Sequence, residues 1–101
     1  MSYIYIIGPE NNGPVKIGIS KKPTSRLKQL QTAHPEKLII HNTFEIEESR
    51  TKLLEQKIHK DLSYLRSKGE WFNIDPKEAI ELVSFFVIKY KDTNENILRN
   101  Y

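Results

Sequence analysis

Apolar and polar positions change period several times along the chain, and each change marks an element. Residues 3–7 and 15–20 are short runs rich in Ile, Val and Tyr, joined by the turn-forming spacer GPENNGP. They predict an antiparallel hairpin. Pro9 and Pro14 lie outside the runs, where they remove no ladder hydrogen bond. In KKPTSRLKQLQTAHP, Pro23 suits a first helical position, Leu27 and Leu30 give a short apolar seam, and Pro35 follows the end. The alternation of Leu38, Ile40, Phe44 and Ile46 predicts a third strand with those four side chains on one face. From Glu48 to Arg66 the period becomes helical, with Leu54, Ile58, Leu62 and Leu65 in one stripe. Gly69 breaks that stripe, and the chain returns to the sheet or its edge. Asp75-Pro76-Lys77-Glu78 is a well-formed helix start. Ala79, Leu82, Val83, Phe86, Val87 and Tyr90 then fill one face of a last helix.

The predicted order is β-β-α-β-α-(β)-α, an α+β domain with helices on a small three-stranded antiparallel sheet. Residues 1–91 form that single domain, and 92–101 are a polar C-terminal tail. Many functions use such an architecture, so the fold alone names none.

Strand parity places candidate chemistry. Tyr3, Tyr5 and Ile7 share a face, as do Lys16, Gly18 and Ser20 on the partner strand. If the two faces coincide, Tyr5 stands near Lys16 over a patch left open by Gly18. Arg26 lies on the polar side of the first helix beside Lys21, Lys22 and Lys28. Such a cluster serves as a solvated face or as a phosphate clamp, because guanidinium pairs bidentately with phosphate oxygens. Glu55 falls about 60° from the centre of the second helix's apolar stripe, at its edge. A carboxylate there can bind a hard cation such as magnesium, or simply pair with Thr51 or His59 one turn away. His59 reads as a helix-surface histidine, and His34 and His41 show no partner in the sequence. In Gly69-Glu70-Trp71-Phe72, a tight turn feeds two aromatics into the core, with Glu70 bonding backbone amides at the turn.

Composition narrows the classes. The chain has no cysteine, which excludes disulfides, zinc-thiolate centres and thiol nucleophiles. No apolar run approaches the ~20 residues of a membrane span, and no signal-peptide pattern opens the sequence. An intracellular, cytoplasmic protein with no membrane partner is expected. Net charge is +3 and the pI is about 9.1. That charge is compatible with a nucleic-acid partner without requiring one.

Taken in order, these pieces resemble the GIY-YIG nuclease superfamily. Tyr3-Ile4-Tyr5 stands where its first motif is found and Lys16-Ile17-Gly18 where its second is. Arg26 matches the arginine of the following helix, and Glu55 in LLEQKIHKDL the metal-binding glutamate of a later one. KIGIS, RLKQLQT, LEQKIH and GEWF look more specifically like a phage and bacterial branch, over residues 3 to about 74.

The resemblance implies hydrolysis of DNA phosphodiester bonds with a single divalent metal, Mg2+ or Mn2+, held by Glu55. It implies a motif tyrosine that deprotonates the attacking water and an arginine that stabilises the transition state. Tyr5 can serve as base if Arg26, Lys16 and a metal lower its pKa from about 10. Two departures from the superfamily pattern stand out. Its first glycine is Tyr3 here, and the tyrosine of its second motif is Lys16. Tyr5 is then the clearest base, with Tyr3 on the same face as its substitute, and the downstream asparagine has only Asn73 as a candidate. Lys16, Lys21, Lys22, Arg26 and Lys28 form the expected nucleic-acid strip, for DNA by resemblance and for RNA as an open alternative. A homodimer that cuts both strands is also left open. Two other classes remain: an inactive nucleic-acid-binding module, and a protein-interaction or regulatory domain.

Overall fold

A computed structural model describes residues 1–90; the predicted polar tail at 92–101 lies outside the described residues. The elements are β1 (Ser2–Gly8), β2 (Val15–Ser20), α1 (Pro23–Thr32), β3 (Ile39–Ile46) and α2 (Glu48–Asp61). A single 3-10 turn (Ser63–Leu65) follows, then β4 (Arg66–Lys68), β5 (Trp71–Phe72) and α3 (Pro76–Tyr90). The α+β class is as expected, but the sheet has five strands in the order β3-β1-β2-β5-β4, all pairings antiparallel.

The two extra strands correct the reading of the second helix. The helical stripe stops at Asp61 rather than running to Arg66. Leu62 still donates to the Ile58 carbonyl, and the chain then tightens into the 3-10 turn and leaves as β4. Strand pairing overrides helical period here: Arg66 pairs with Phe72, and the Leu65 carbonyl accepts from Asn73 N–H at 2.7 Å. The β4–β5 turn needs a left-handed residue, and Gly69 supplies it at φ 58°.

The sheet has two unlike faces. On one, Ile4, Ile6, Val15 and Ile17 are fully buried with Leu54 and Ile58 of α2 and Ala79 and Val83 of α3. This is the main core, where each large aliphatic side chain contributes roughly 1.5–3 kcal/mol over exposure. On the other face a smaller cluster of Tyr5, Ile7 and Leu38 packs under Leu27 and Leu30 of α1. The hairpin register sets this division, since Tyr5 lies opposite Gly18 and Ile7 opposite Lys16. The two predicted strand faces therefore coincide.

Strand β3 departs from simple alternation. Its register on β1 shifts between Ile6 and Ile7, so that Ile6 meets Asn42 and Ile7 meets Ile40. The skipped residue is His41, whose Nε2 lies 2.7 Å from the Pro9 carbonyl. This bulge sends Leu38 and Ile40 to the α1 face and leaves Phe44 and Ile46 on the main core, so the four do not share a face. Of the GEWF aromatics only Phe72 enters the main core, while Trp71 packs on the α1 side.

Local hydrogen bonds fix the helix ends near the site. Ser20 Oγ accepts from Lys22 N–H at 2.9 Å, just before Pro23 opens α1. The Gln31 amide closes the far end: its Oε1 accepts from Leu38 N–H and its Nε2 donates to the Glu36 carbonyl, both at 2.7 Å. Asp75 caps α3, its Oδ2 accepting from Lys77 N–H at 3.0 Å.

Candidate functional site

The site begins with a missing side chain. A Cβ on Gly18 would lie 2.5 Å from the Tyr5 hydroxyl and 3.0 Å from Glu70 Oε1. The first distance is too short for any real Cβ and the second is tight, so the absence of a side chain at Gly18 makes room over β2 for the Tyr5 hydroxyl and, beside it, the Glu70 carboxylate. Tyr5 is 1% exposed. Its hydroxyl accepts from Arg26 Nε at 3.3 Å, which joins the first turns of α1 to the middle of β1. Arg26 also donates through Nη1 to Gln29 Oε1 at 3.1 Å, which steadies the guanidinium.

The acidic side of the site comes from α2 and the β4–β5 turn. Among the described residues, Glu55, His59 and Glu70 bring side-chain ligand atoms within 4.8 Å of one another. The edge of β2 explains how α2 reaches them. Ile17 turns its backbone away from β1: its N–H donates to the Glu70 carbonyl at 3.1 Å, and its carbonyl lies 2.7 Å from His59 Nε2. A carbonyl only accepts, so Nε2 carries the proton in that bond. His59 is half-buried against Phe72, with ring centroids 5.1 Å apart. It is a bracket between α2 and β2, not the surface histidine that the sequence indicated. Burial also pushes its pKa down, in favour of the neutral ring.

Glu55 lies deeper than the stripe's edge, at 9% exposure. Burial, then the charge of Glu70 and a hydrogen bond with it, raise the Glu55 pKa to about 7, while Lys16 and Lys52 pull it down. Two carboxylates that meet in a half-dry site cannot both ionise freely. Glu70 is here because its side chain turns inward. It pairs with Lys16, with Nζ to Oε1 at 3.5 Å, instead of bonding the turn amides. Lys16 is 8% exposed, and its ammonium also lies 5.7 Å from the Trp71 ring centroid.

The other predicted residues divide. Tyr3 shares the face of Tyr5, but its hydroxyl donates to Glu45 Oε2 at 3.2 Å on β3, and that carboxylate raises its pKa. It is not part of the cluster. Asn73 lines a shallow cleft with Asn12, Gly13, Pro14, Ile74 and Asp75, apart from the cluster residues. Lys22, just before α1, and Lys28 on it are exposed, whereas Lys21 pairs with Glu48 at 2.8 Å on the surface. On the far side of α2, Asp61 accepts from the buried Lys57 Nζ at 2.7 Å. His34, like His41, has partners after all: its Nδ1 accepts from Glu36 N–H and its ring stacks on Trp71 at 5.4 Å. Two of the three cations expected to lower the Tyr5 pKa are in place, but they do not suffice by themselves. Burial raises that pKa and outweighs the Arg26 guanidinium, which lowers it, and Lys16 is committed to Glu70.

The inward Glu70 is the member of this cluster that the sequence reading assigned to the turn instead. Its only sequence signal is the acid placed between Gly69 and Trp71, where a left-handed turn decides which way it faces.

A phenol, a guanidinium, an ammonium and two carboxylates thus converge around one glycine on a small antiparallel sheet. That arrangement suits acid–base work on an anionic substrate and oxygen ligation of a hard cation. The chain belongs to the T5orf172 domain family, whose model matches residues 2–87, a phage-associated domain of the endonuclease-related set. No curated protein and no solved structure matches the chain. No helix among the described residues is long and apolar enough to cross a membrane.

Proposed function

We propose that this domain is a metal-dependent endonuclease of the GIY-YIG type that hydrolyses DNA phosphodiester bonds with one divalent cation, Mg2+ or Mn2+. The observation that carries this reading is the meeting of Tyr5, Arg26, Glu55 and Glu70 around Gly18. Family membership supports it at the coarser level of an endonuclease-related domain.

Each side chain has a part. Arg26 presents fixed positive charge to the nonbridging phosphate oxygens, where charge grows in the transition state; loss of one such donor typically costs about 3–4 kcal/mol. Tyr5 takes the proton of the attacking water. Burial opposes that role and Arg26 favours it, so the positive charge around the phenol sets the fraction in the reactive form. Glu55 fits a cation: it is a buried oxygen donor beside a cradle that a Cβ would fill. A bound divalent cation lowers the pKa of its water and neutralises charge on the leaving oxygen. Lys22 at the start of α1 and Lys28 on it, both exposed, approach the DNA backbone next to Arg26.

One observation favours a second reading, a nucleic-acid-binding module without turnover. Lys16, in the place of a motif tyrosine, is tied to Glu70 instead of facing a substrate. Incubation with supercoiled plasmid separates the two. The nuclease reading requires nicked or linear product with Mg2+ and none with chelator. Salt-sensitive binding with no product under either condition supports the binding module instead.

A further inference from the structure

The charges around Gly18 do not balance. Glu55 and Glu70 face each other, and the positive groups nearby are already assigned. Lys16 pairs with Glu70 at 3.5 Å, and Arg26 bonds the Tyr5 hydroxyl at 3.3 Å. Lys52 is exposed on α2. His59 shares the cluster, but its Nε2–H is spent on the Ile17 carbonyl. Lys16 is thus the one ammonium paired directly with this carboxylate pair, in a place where Glu55 is almost wholly out of water. Such a pair holds either a proton or a cation between its oxygens, and a hard divalent ion is suited to take the proton's place.

The backbone holds Glu70 in that position. Its carbonyl accepts from Ile17 N–H, the next residue pairs with Lys16 in the sheet, and the preceding Gly69 sits at φ 58°. The Glu70 carboxylate is thus built onto β2 beside Gly18, with one oxygen 3.0 Å from where a Cβ would be. Its side chain is 38% exposed, so the approach from solvent to this oxygen is open.

We propose that Glu70 is a second protein ligand of the cation, shared with Glu55, and that Lys16 is the internal counterion which the cation displaces from Glu70. This rests on the nuclease reading for the presence of a cation but adds a ligand and an exchange. A hard divalent ion takes oxygen donors, and two carboxylates hold it better than one. The Lys16 ammonium, released from Glu70, is then available to a phosphate oxygen on the same face as Tyr5. The same lysine thus guards the empty acid pair and serves the loaded one. His59 stays outside the ligand set through Nε2, because that atom carries a proton.

Binding of Mn2+ to the full chain without DNA, followed by loss of the free-ion electron paramagnetic resonance signal, tests this apart from activity. Glu70→Gln and Glu55→Gln should each weaken Mn2+ binding about ten-fold or more, the scale seen for losses even one shell further out. Lys16→Met should tighten it, because the competing ammonium is gone. The Lys16 variant also breaks the Lys16–Glu70 pair, so a loss of packing would weaken binding and cannot imitate the expected gain. Wild-type affinity in Glu70→Gln, weaker binding in Lys16→Met, or no Mn2+ binding by the wild type overturns the proposal. Plasmid cleavage separates the two layers. Ion binding that depends on both glutamates in a wild type that cuts nothing leaves this site standing and removes the nuclease. A wild type that cuts DNA while Glu70→Gln binds Mn2+ normally does the reverse.

Discussion

The two faces of the sheet obey different rules. The face under α2 and α3 is aliphatic and dry, and it would be improved by nothing polar. The face under α1 holds a smaller apolar cluster and, around Gly18, a phenol and an ammonium, joined at the β2 edge by carboxylates from α2 and the β4–β5 turn. Both are made from the same two strands, one residue out of phase: Ile4, Ile6 and Ile17 point one way, Tyr5, Lys16 and Gly18 the other. The lesson is that the first face supplies the rigidity that the second spends. Buried charges persist on the site face only because the opposite face holds β1 and β2 in register. Changes on the two faces should therefore separate stability from chemistry.

The largest separation is expected on the site face. Arg26→Ala removes a half-exposed group, so thermal stability changes little, while the cleavage rate falls about 10²–10³-fold. A loss under ten-fold, measured with saturating DNA, would remove Arg26 from transition-state stabilisation. Gly18→Ala sharpens the point with a single methyl. Its Cβ would fall 2.5 Å from the buried Tyr5 hydroxyl, so the ring and Arg26 must shift. Cleavage should drop by at least ten-fold, on the scale of a misplaced reacting group. An alanine variant with wild-type rate breaks the cradle argument.

The core face should behave in the opposite way. Ile58→Ala, at a fully buried position in α2, should lower unfolding free energy by about 2–5 kcal/mol. Activity per folded molecule should stay near that of the wild type at low temperature, read by comparing denaturant midpoints with initial rates.

Next in size is a pH effect. Glu55 has a folded pKa of about 7, above its ordinary value of 4.5. The folded state therefore binds more protons than the unfolded one between those values, and stability without divalent cation falls as pH rises through that window. Glu55→Gln should flatten this slope and stabilise the metal-free protein at pH 8 by about 1–3 kcal/mol. Denaturant titrations at pH 5 and pH 8 read it, and an unchanged slope would mean that Glu55 ionises freely.

The smallest effect lies on the rim. Reversing the charges of Lys21 and Lys22 should leave stability nearly unchanged, since the Lys21–Glu48 pair is exposed and screened by solvent. It should nonetheless weaken DNA binding and flatten its salt dependence. An unchanged salt slope would place the nucleic acid elsewhere.

The hairpin, α1, the last helix and the face shared by Tyr5 and Gly18 were legible because each rests on short-range rules: strand parity, Pro23 at a helix start, Asp75 as a cap. What stayed hidden depends on partners distant in the chain. The β4 strand is three exposed polar residues with no period of their own, and only pairing with β5 makes them a strand. The bulge at His41 is fixed by the Pro9 carbonyl, and His59 is drawn inward by the Ile17 carbonyl. Glu70 faces Lys16 because a left-handed Gly69 aims it there. Side-chain type located the phenol and the arginine; the second carboxylate needed the fold.

The most direct test of the account is cleavage of supercoiled plasmid by wild type and Glu55→Ala, with DNA affinity measured on the same preparations. The account predicts Mg2+-dependent product from the wild type and none with chelator. Glu55→Ala should give no product above the protein-free control, while its DNA affinity stays unchanged or rises slightly. Normal cutting by the alanine variant, or loss of DNA binding in step with loss of cutting, would contradict a cation held at Glu55.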